Sequence, residues 1–309
     1  MQQPKDSVLP LKALPGRKRS QLKYWLKRIL ILLPFLPSSA LADPAVWTAS
    51  KAGVEFTLLG SIHVGDNDML AFPSPVAQRW PGYNGLVVEA NILDAEIDIQ
   101  PGHTATRDLL GAQQQSKLKA IADQLGLSYT ALNNSAPWQV AMSLQVAMTQ
   151  RAGLSSQHGI DTQLLERAVK DGKPIYELEG VNYQINLLAN MESSGLPLLT
   201  TTLDNWDEME SSLQCLLDAW KAGDTETLRT LSSDSFDDPA LEALLLTNRN
   251  KNWVSQLTNS GLYPPGKYLV VAGALHLVGD TGLPTLLKNA GYTLVRENQP
   301  RAVTCQQSK

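Results

Sequence analysis

Two histidines stand in the same local sequence, Gly-x-x-His, near opposite ends of the chain. His63 follows an apolar stretch that ends at Gly60, and His276 follows a second apolar stretch that ends at Gly273. The chain has only four histidines, so half of them share this arrangement. Imidazole is the commonest metal ligand and a frequent acid or base near neutral pH. One histidine at a strand end is usually structural, whereas the repeated placement points to chemistry.

A carboxylate ends a third apolar stretch between the two motifs. The run Gly85–Val88 leads directly into Glu89, and Ile175–Leu178 leads into Glu179 in the same way. Such runs are typical of strands buried on both faces. A carboxylate in that position is costly to bury unless it is paired or binds a metal. The alternative for Glu89 is that it only marks the point where the strand leaves the core.

Two neutral imidazoles and a carboxylate are a familiar ligand set for a divalent metal with open positions for water. His63, Glu89 and His276 would suit Zn²⁺, Mn²⁺, Co²⁺ or Fe²⁺, and the sequence does not choose between them. Such a metal lowers the pKa of bound water and polarises a carbonyl. HExxH spacing is absent, so any site must be assembled from distant strands. The absence of G-x-S-x-G, G-x-G-x-x-G and P-loop motifs disfavours a serine hydrolase and nucleotide chemistry.

The elements that must position these residues are strands of one sheet. Open α/β sheets place their sites at the carboxyl ends of the strands. Near both ends of the chain the order is strand, Gly-x-x-His, loop, helix and strand, and a mainly helical stretch lies between. The sequence therefore predicts an α/β fold. We expect a mostly parallel or mixed central sheet with surrounding helices, a weak internal duplication of the two halves, and a helical middle.

Local signals place several elements around this frame. A hairpin is expected with its turn at 51–53, and a helix is expected from Pro137 to Gln150. Asp161 is predicted to cap a helix over Thr162–Val169. Arg249 falls in a predicted helix.

The first 42 residues are predicted to be a secretory signal peptide. A basic region precedes the apolar run 29–36, and Ala40-Leu41-Ala42 supplies small residues before Asp43. The apolar run is shorter than the ~20 residues that a membrane span needs, although an uncleaved anchor is the alternative. Residues 43–309 would then form a single exported domain, periplasmic or secreted, with no membrane span.

The charge of the mature chain limits its partners. The predicted signal peptide contains eight of the 26 basic residues and one of the 30 acidic residues, so its removal leaves a net charge of −11. Such an acidic protein is an improbable partner for nucleic acid or an anionic membrane. Cys215 and Cys305 could pair in an oxidising compartment, but their positions in the sequence do not establish a disulfide. Nothing in the sequence determines the oligomeric state.

The ordered set of motifs resembles the TraB/GumN family, which is related to the Tiki proteins and more distantly to the erythromycin esterases. The resemblance spans roughly 47 to 296. Besides the two Gly-x-x-His motifs and Glu89, it rests on these segments: Phe72-Pro73-Ser74-Pro75, Gly159-Ile160-Asp161, Gly172 to Glu179, Asn248-Arg249-Asn250 with Trp253, and Gly273 to Gly279.

The resemblance implies an activity and assigns roles. Tiki proteins are described as metal-dependent proteases, so it implies an exported metal-dependent hydrolase that acts on a peptide or a small molecule. His63, Glu89 and His276 would bind the metal, and Glu89 would also be catalytic. Arg249 would stabilise an oxyanion, since its guanidinium stays charged and donates in a fork, or else form a surface salt bridge. Glu179 would act as a base or support the site.

Two other functions remain open at this point. The erythromycin esterases suggest a hydrolase without a metal, in which a histidine is the base. TraB itself is linked to shutdown of a peptide pheromone, which a binding protein without turnover could achieve by sequestering the peptide. Metal content separates the first two functions, and turnover separates both from the third.

Overall fold

A mixed six-stranded sheet organises the residues that the computed structural model describes, namely 43–66, 69, 72–96, 104–236 and 238–305. Its strands are β1 Val46–Lys51, β2 Val54–Ser61, β3 Gly85–Val88, β4 Ile175–Glu177, β5 Gly266–Gly273 and β6 Thr293–Arg296. The spatial order is β4-β3-β5-β2-β1-β6. Strands β4, β3, β5 and β2 are parallel, and β1 is antiparallel to β2 and β6. The predicted α/β class with a mixed sheet is confirmed.

Helices connect and cover these strands. They are α1 Ser74–Arg79, α2 Ala112–Leu125, α3 Tyr129–Asn134, α4 Pro137–Arg151, α5 Ile160–Lys170, α6 Val181–Ala189, α7 Leu196–Asp204, α8 Trp206–Lys221, α9 Thr225–Asp234, α10 Pro239–Glu242, α11 Asn248–Leu257 and α12 Leu283–Asn289. A π-helical turn, Ala243–Thr247, joins α10 to α11.

Alternation of side chains along the strands divides the core into two layers. On one face Leu59 and Val271 pack in a cluster with residues of α5 and α8. On the other face Leu58 and Val270 pack in a cluster with residues of α11 and α12. Burial on both faces accounts for the continuous apolar runs in the sequence. A third cluster, built from α2, α4 and α7, forms the core of the predicted helical middle.

The hairpin at the start of the fold has its turn within the predicted residues 51–53. Ala52 and Gly53 both have positive φ, 50° and 83°, in the two-residue connection between β1 and β2. A connection with two positive φ values matches the right-handed twist of paired strands.

The predicted signal peptide, residues 1–42, lies outside the described residues. Within the part of the chain that is described, no helix is long and apolar enough to cross a membrane.

A disulfide ties the C-terminal segment to α8. Cys215 and Cys305 are bonded, with their Cα atoms 5.3 Å apart, a separation within the usual range for disulfides. The bond joins residues 90 positions apart in the sequence, so it removes much of the conformational freedom of the unfolded chain.

Loss of this disulfide is expected to lower the free energy of unfolding by about 4 kcal/mol, from the chain entropy of so long a loop. The test is urea unfolding of a variant with Cys215→Ser and Cys305→Ser. Ser212→Ala, at an exposed position on the same helix, serves as the control and should leave the midpoint unchanged. Equal midpoints for all three proteins would show that the bond does not stabilise the fold.

Candidate functional site

The predicted site residues follow the carboxyl ends of four neighbouring parallel strands. His63 comes after β2, His276 after β5, Glu89 after β3 and Glu179 after β4. Arg249 reaches the same edge from α11. This edge is where a parallel sheet is expected to hold its site.

Arg249 joins two carboxylates and a histidine in a buried cluster. Its Nη2 donates to Glu89 Oε2 at 2.6 Å and to Glu179 Oε2 at 2.8 Å, and its Nε donates to Glu179 Oε1 at 3.0 Å. Its Nη1 contacts His276 Nε2 at 3.2 Å and donates to the Leu245 carbonyl at 3.1 Å. These contacts use all five N–H groups of the guanidinium. In this arrangement Arg249 therefore cross-links the strand ends and has no donor left for an oxyanion.

His276 is held as a neutral imidazole. The Asn250 side-chain amide donates to the Thr281 carbonyl at 2.8 Å, so its oxygen faces His276 Nδ1 at 2.6 Å. Nδ1 therefore carries the proton, and Nε2 accepts from Arg249. The ring packs on Trp253 with centroids 4.4 Å apart. Burial, together with the Arg249 charge, lowers the pKa of His276 to about 4.

Both oxygens of Glu89 are occupied by donors. The Gly273 N–H donates to Oε1 at 2.7 Å, and Gln184 Nε2 of α6 donates to Oε2 at 2.9 Å alongside Arg249. Burial alone would raise the pKa of Glu89. The neighbouring His276, Arg249 and His63, together with the Gly273 N–H, outweigh burial and hold that pKa below its ordinary value. Glu89 is therefore a buried, ionised carboxylate.

His63 lies apart from this cluster and is open to solvent. Its Nδ1 is 2.8 Å from Asp161 Oδ2, and its side chain is 74% exposed. The Asp161 carboxylate raises the pKa of His63 to about 9. Glu89 raises it further, so the pair and the buried cluster are electrostatically coupled. His63 Nε2 is thus the open nitrogen of the site.

The predicted capping role of Asp161 is wrong. Gly159 is the N-cap of the helix, which begins at Ile160, and the Asp161 side chain lies inside the first turn. A carboxylate inside the first turn is not needed to cap the helix N–H groups, so it can bind another partner. Asp161 binds His63. Burial would raise the pKa of Asp161, but the charge and hydrogen bond of His63 outweigh burial and lower it.

Close backbone packing brings Asp161 to His63. Gly65 and Ser155 form an isolated antiparallel bridge, with N–O distances of 3.0 and 2.9 Å. A Cβ at Gly159 would lie 2.5 Å from the His63 carbonyl oxygen. Only a glycine allows the two segments to approach this closely. The Gly159-Ile160-Asp161 segment therefore serves to place the carboxylate.

Gly60 allows the two Gly-x-x-His turns to touch. A Cβ at this position would lie 2.9 Å from the Ala274 Cα. Gly60→Ala should cost about 1–3 kcal/mol of stability, because it overpacks this junction. Gly82→Ala is the matched control, since nothing lies within 4 Å of its Cβ position. Thermal unfolding of the two variants measures the difference, and equal melting temperatures would contradict the tight junction.

The predicted metal ligands have partly suitable chemistry. Each imidazole has its Nδ1 against an oxygen, which leaves Nε2 for a ligand as in many metal sites. However, Arg249 takes His276 Nε2 and one oxygen of Glu89, and no cluster of three or more metal-binding side chains occurs among the described residues. His63, Glu89 and His276 as arranged do not fit a three-ligand centre, because a guanidinium lies between two of them. The metal stays a prediction from the sequence.

Several contributors to the site were missed by sequence reasoning. Asp161 and Asn250 both stand in segments that carry the resemblance, so their presence was visible although their roles were not. Gln184 comes from a helix without any motif, so residue type and spacing do not reveal it. Gly273 belongs to the second Gly-x-x-His motif, but the sequence does not show that its backbone N–H faces Glu89.

Comparisons with known proteins agree on a family. The profile of the TraB/PrgY/gumN family matches residues 45–296. The chain is 31% identical over 265 residues to the protein named uncharacterized protein YbaP of Escherichia coli (strain K12), which covers 85% of this chain and 99% of that protein. The YbaP protein of Shigella flexneri matches with the same identity and coverage. No solved structure matches the chain. The chain belongs to the TraB/PrgY/gumN family.

Proposed function

We propose that the chain is a hydrolase that cleaves a peptide, with His63 as the base and Asp161 as the residue that orients it. The observation that carries the proposal is the open imidazole of His63, held at Nδ1 by the half-buried carboxylate of Asp161. Nucleophile-activating histidines are commonly arranged in this way, with one nitrogen anchored and the other facing the reactants. Among the predicted site residues, His63 is the one with a nitrogen open to a substrate.

The reaction requires one proton to move twice. His63 Nε2 takes a proton from a water molecule as that water attacks the peptide carbonyl. The imidazolium is stabilised by Asp161 and then returns the proton to the leaving amine when the C–N bond breaks. The products are a carboxylic acid and an amine, and the enzyme regains its starting state.

The buried cluster supports this chemistry by electrostatics and by position. Glu89 and Glu179 carry two formal negative charges, Arg249 carries one positive charge, and His276 is neutral. The cluster therefore has a net formal charge of −1. The excess favours the imidazolium that forms at His63. Arg249 is a positioning residue in this proposal, because its donors are all engaged by protein acceptors.

The pH dependence of kcat/KM tests the role of His63. A base must be neutral to accept a proton, so kcat/KM should rise with pH through the pKa of His63, which Asp161 raises to about 9. Asp161→Asn removes the cause of that shift, so the rise should move to lower pH while the maximum rate falls. A decline of kcat/KM over the same pH range would assign His63 the role of an acid and contradict the proposal.

A metal-dependent form of this hydrolysis is the sequence prediction, with Zn²⁺, Mn²⁺, Co²⁺ or Fe²⁺ held by His63, Glu89 and His276. When bound, the metal would polarise a carbonyl or lower the pKa of water. Ligation would require Arg249 to leave His276 Nε2. The test is the metal content of the purified protein and of a His63→Ala, His276→Ala variant. Metal that is present only in the wild type, together with activity that is lost on chelation and restored when metal is added, would support this form.

We also propose that the chain is exported to the periplasm or secreted. The Cys215–Cys305 disulfide supports this location, because disulfides persist in oxidising compartments. The N-terminal sequence of the protein from the extracytoplasmic fraction should begin at Asp43. A start at Met1 in the membrane fraction would contradict cleavage.

A further inference from the structure

The segment after β6 leads from the edge of the sheet to the disulfide. Its first two residues, Glu297 and Asn298, are held at the sheet edge by several hydrogen bonds. We call the residues that follow, 299–305, the C-terminal strap; it lies beyond the family match, which ends at residue 296. Two hydrogen bonds and one covalent bond hold the strap: the Arg301 N–H donates to the Ala222 carbonyl at 3.0 Å, the Val303 N–H donates to Asp224 Oδ2 at 2.8 Å, and Cys305 is bonded to Cys215.

The strap has no buried side chain, so its non-covalent hold is weak. Residues 299–302 and Thr304 are exposed, and the others are half-buried. Segments with few buried apolar contacts and exposed hydrogen bonds open at low free energy. The disulfide is therefore the main constraint that keeps the strap on the end of α8.

The end of α8 in turn holds the loop that carries His63. We call residues 60–66 the His63 loop. Trp220 Nε1 donates to the Gly60 carbonyl at 2.7 Å in a buried contact, and Lys221 Nζ donates to Asp66 Oδ2 at 2.6 Å. Both ends of the loop thus rest on the last turn of α8. The strap contacts Ala222, the next residue along the chain.

We propose that the C-terminal strap is a redox-sensitive device that fixes the position of the His63 loop through the end of α8. In the oxidised protein the Cys215–Cys305 bond holds the strap against α8, and the His63 loop is held at both ends. Reduction by a dithiol transfers two electrons and two protons, so the S–S bond breaks, two thiols form and the dithiol becomes a cyclic disulfide. The strap is then free to leave, the last turn of α8 loosens, and the His63 loop moves with it.

The test is NMR of the mature protein, before and after reduction with dithiothreitol and in a Cys305→Ser variant. The proposal predicts changed backbone amide shifts for residues 60–66 and a changed His63 ring Cε1–H shift in both reduced states, and re-oxidation should restore the original spectrum. These shifts report the native position of the loop, so the readout does not depend on catalysis. Amides of α2 and α4 serve as the internal control and should not move.

A second variant keeps the disulfide and breaks the contact that transmits its effect. Trp220→Phe removes the N–H that reaches Gly60 and retains most of the apolar ring, so it should reproduce the changes in the His63 loop without reductant. Changes confined to the strap and α8 would overturn the proposal, because the disulfide would then be a simple tether. Equal shifts in α2 and α4 would also overturn it, since the effect would be global.

Discussion

Arg249→Met is expected to lower the free energy of unfolding by about 3–5 kcal/mol and to abolish activity. The substitution removes the cation that lies between Glu89 and Glu179, and it leaves two carboxylates buried without their partner. Breaking a buried ion pair from one side costs this much because the remaining charge is uncompensated. The Glu179 side chain is only 1% exposed, so water cannot replace the guanidinium. Urea unfolding followed by circular dichroism measures the loss.

Two matched variants make this result specific to the cluster. Arg229→Met also removes an arginine paired with a carboxylate, Glu226, but both side chains are largely exposed; exposed pairs contribute about 0–1 kcal/mol. Arg249→Lys keeps the charge and loses the planar fork, so its stability should lie between wild type and Arg249→Met. If Arg249→Met were no more damaging than Arg229→Met, the buried cross-link would be disproved.

His63→Gln and Asp161→Asn are expected to act mainly on activity, whereas Arg249→Met lowers both stability and activity. Each should lower kcat/KM by about 10²- to 10⁴-fold, the usual contribution of a general base. His63→Gln should cost less stability than Arg249→Met, because the imidazole is 74% exposed and solvent screens its ion pair with Asp161. Combining the two substitutions should add little, since residues that act as a unit are not additive. Steady-state kinetics and thermal unfolding of the same preparations give both quantities.

His158→Gln is the control for this pair. His158 lies in the 3₁₀ turn just before the helix that carries Asp161, but it has no role in the proposal, so the kcat/KM of the variant should stay near the wild-type value. Full activity in His63→Gln would exclude His63 as the base. A loss of activity in all three variants would point to a distorted loop instead of lost chemistry.

The position of the candidate site at the strand ends was predictable from the sequence, whereas the hydrogen bonds between its residues were not. Apolar runs that end in Glu89 and Glu179, and the Gly-x-x-His motifs at His63 and His276, indicate strands whose carboxyl ends meet at one edge. Pairing between distant segments leaves no such pattern. Arg249 on a helix shows only a charge, and the geometry of the folded chain decides that its five N–H groups all find protein acceptors.

The two equivalent motifs also reach different environments, which their shared sequence does not reveal. His276 sits in a 3₁₀ turn under α11, where Trp253 and Asn250 enclose it. The sheet continues on the side of His63 with the antiparallel β1, and among the described residues no helix encloses that imidazole, which is 74% exposed. Burial therefore keeps one imidazole neutral, and Asp161 raises the pKa of the other.

Peptide hydrolysis with His63 as the base is tested most directly in oxygen-18 water. Metal-free mature protein, its His63→Gln variant and the metal-supplemented wild type are incubated with a peptide mixture in that solvent, and the products are examined by mass spectrometry. We expect peptides with oxygen-18 in a new terminal carboxylate from the metal-free wild type and none from His63→Gln. Labelled products that appear only after metal is added, or in equal amount from His63→Gln, would contradict it.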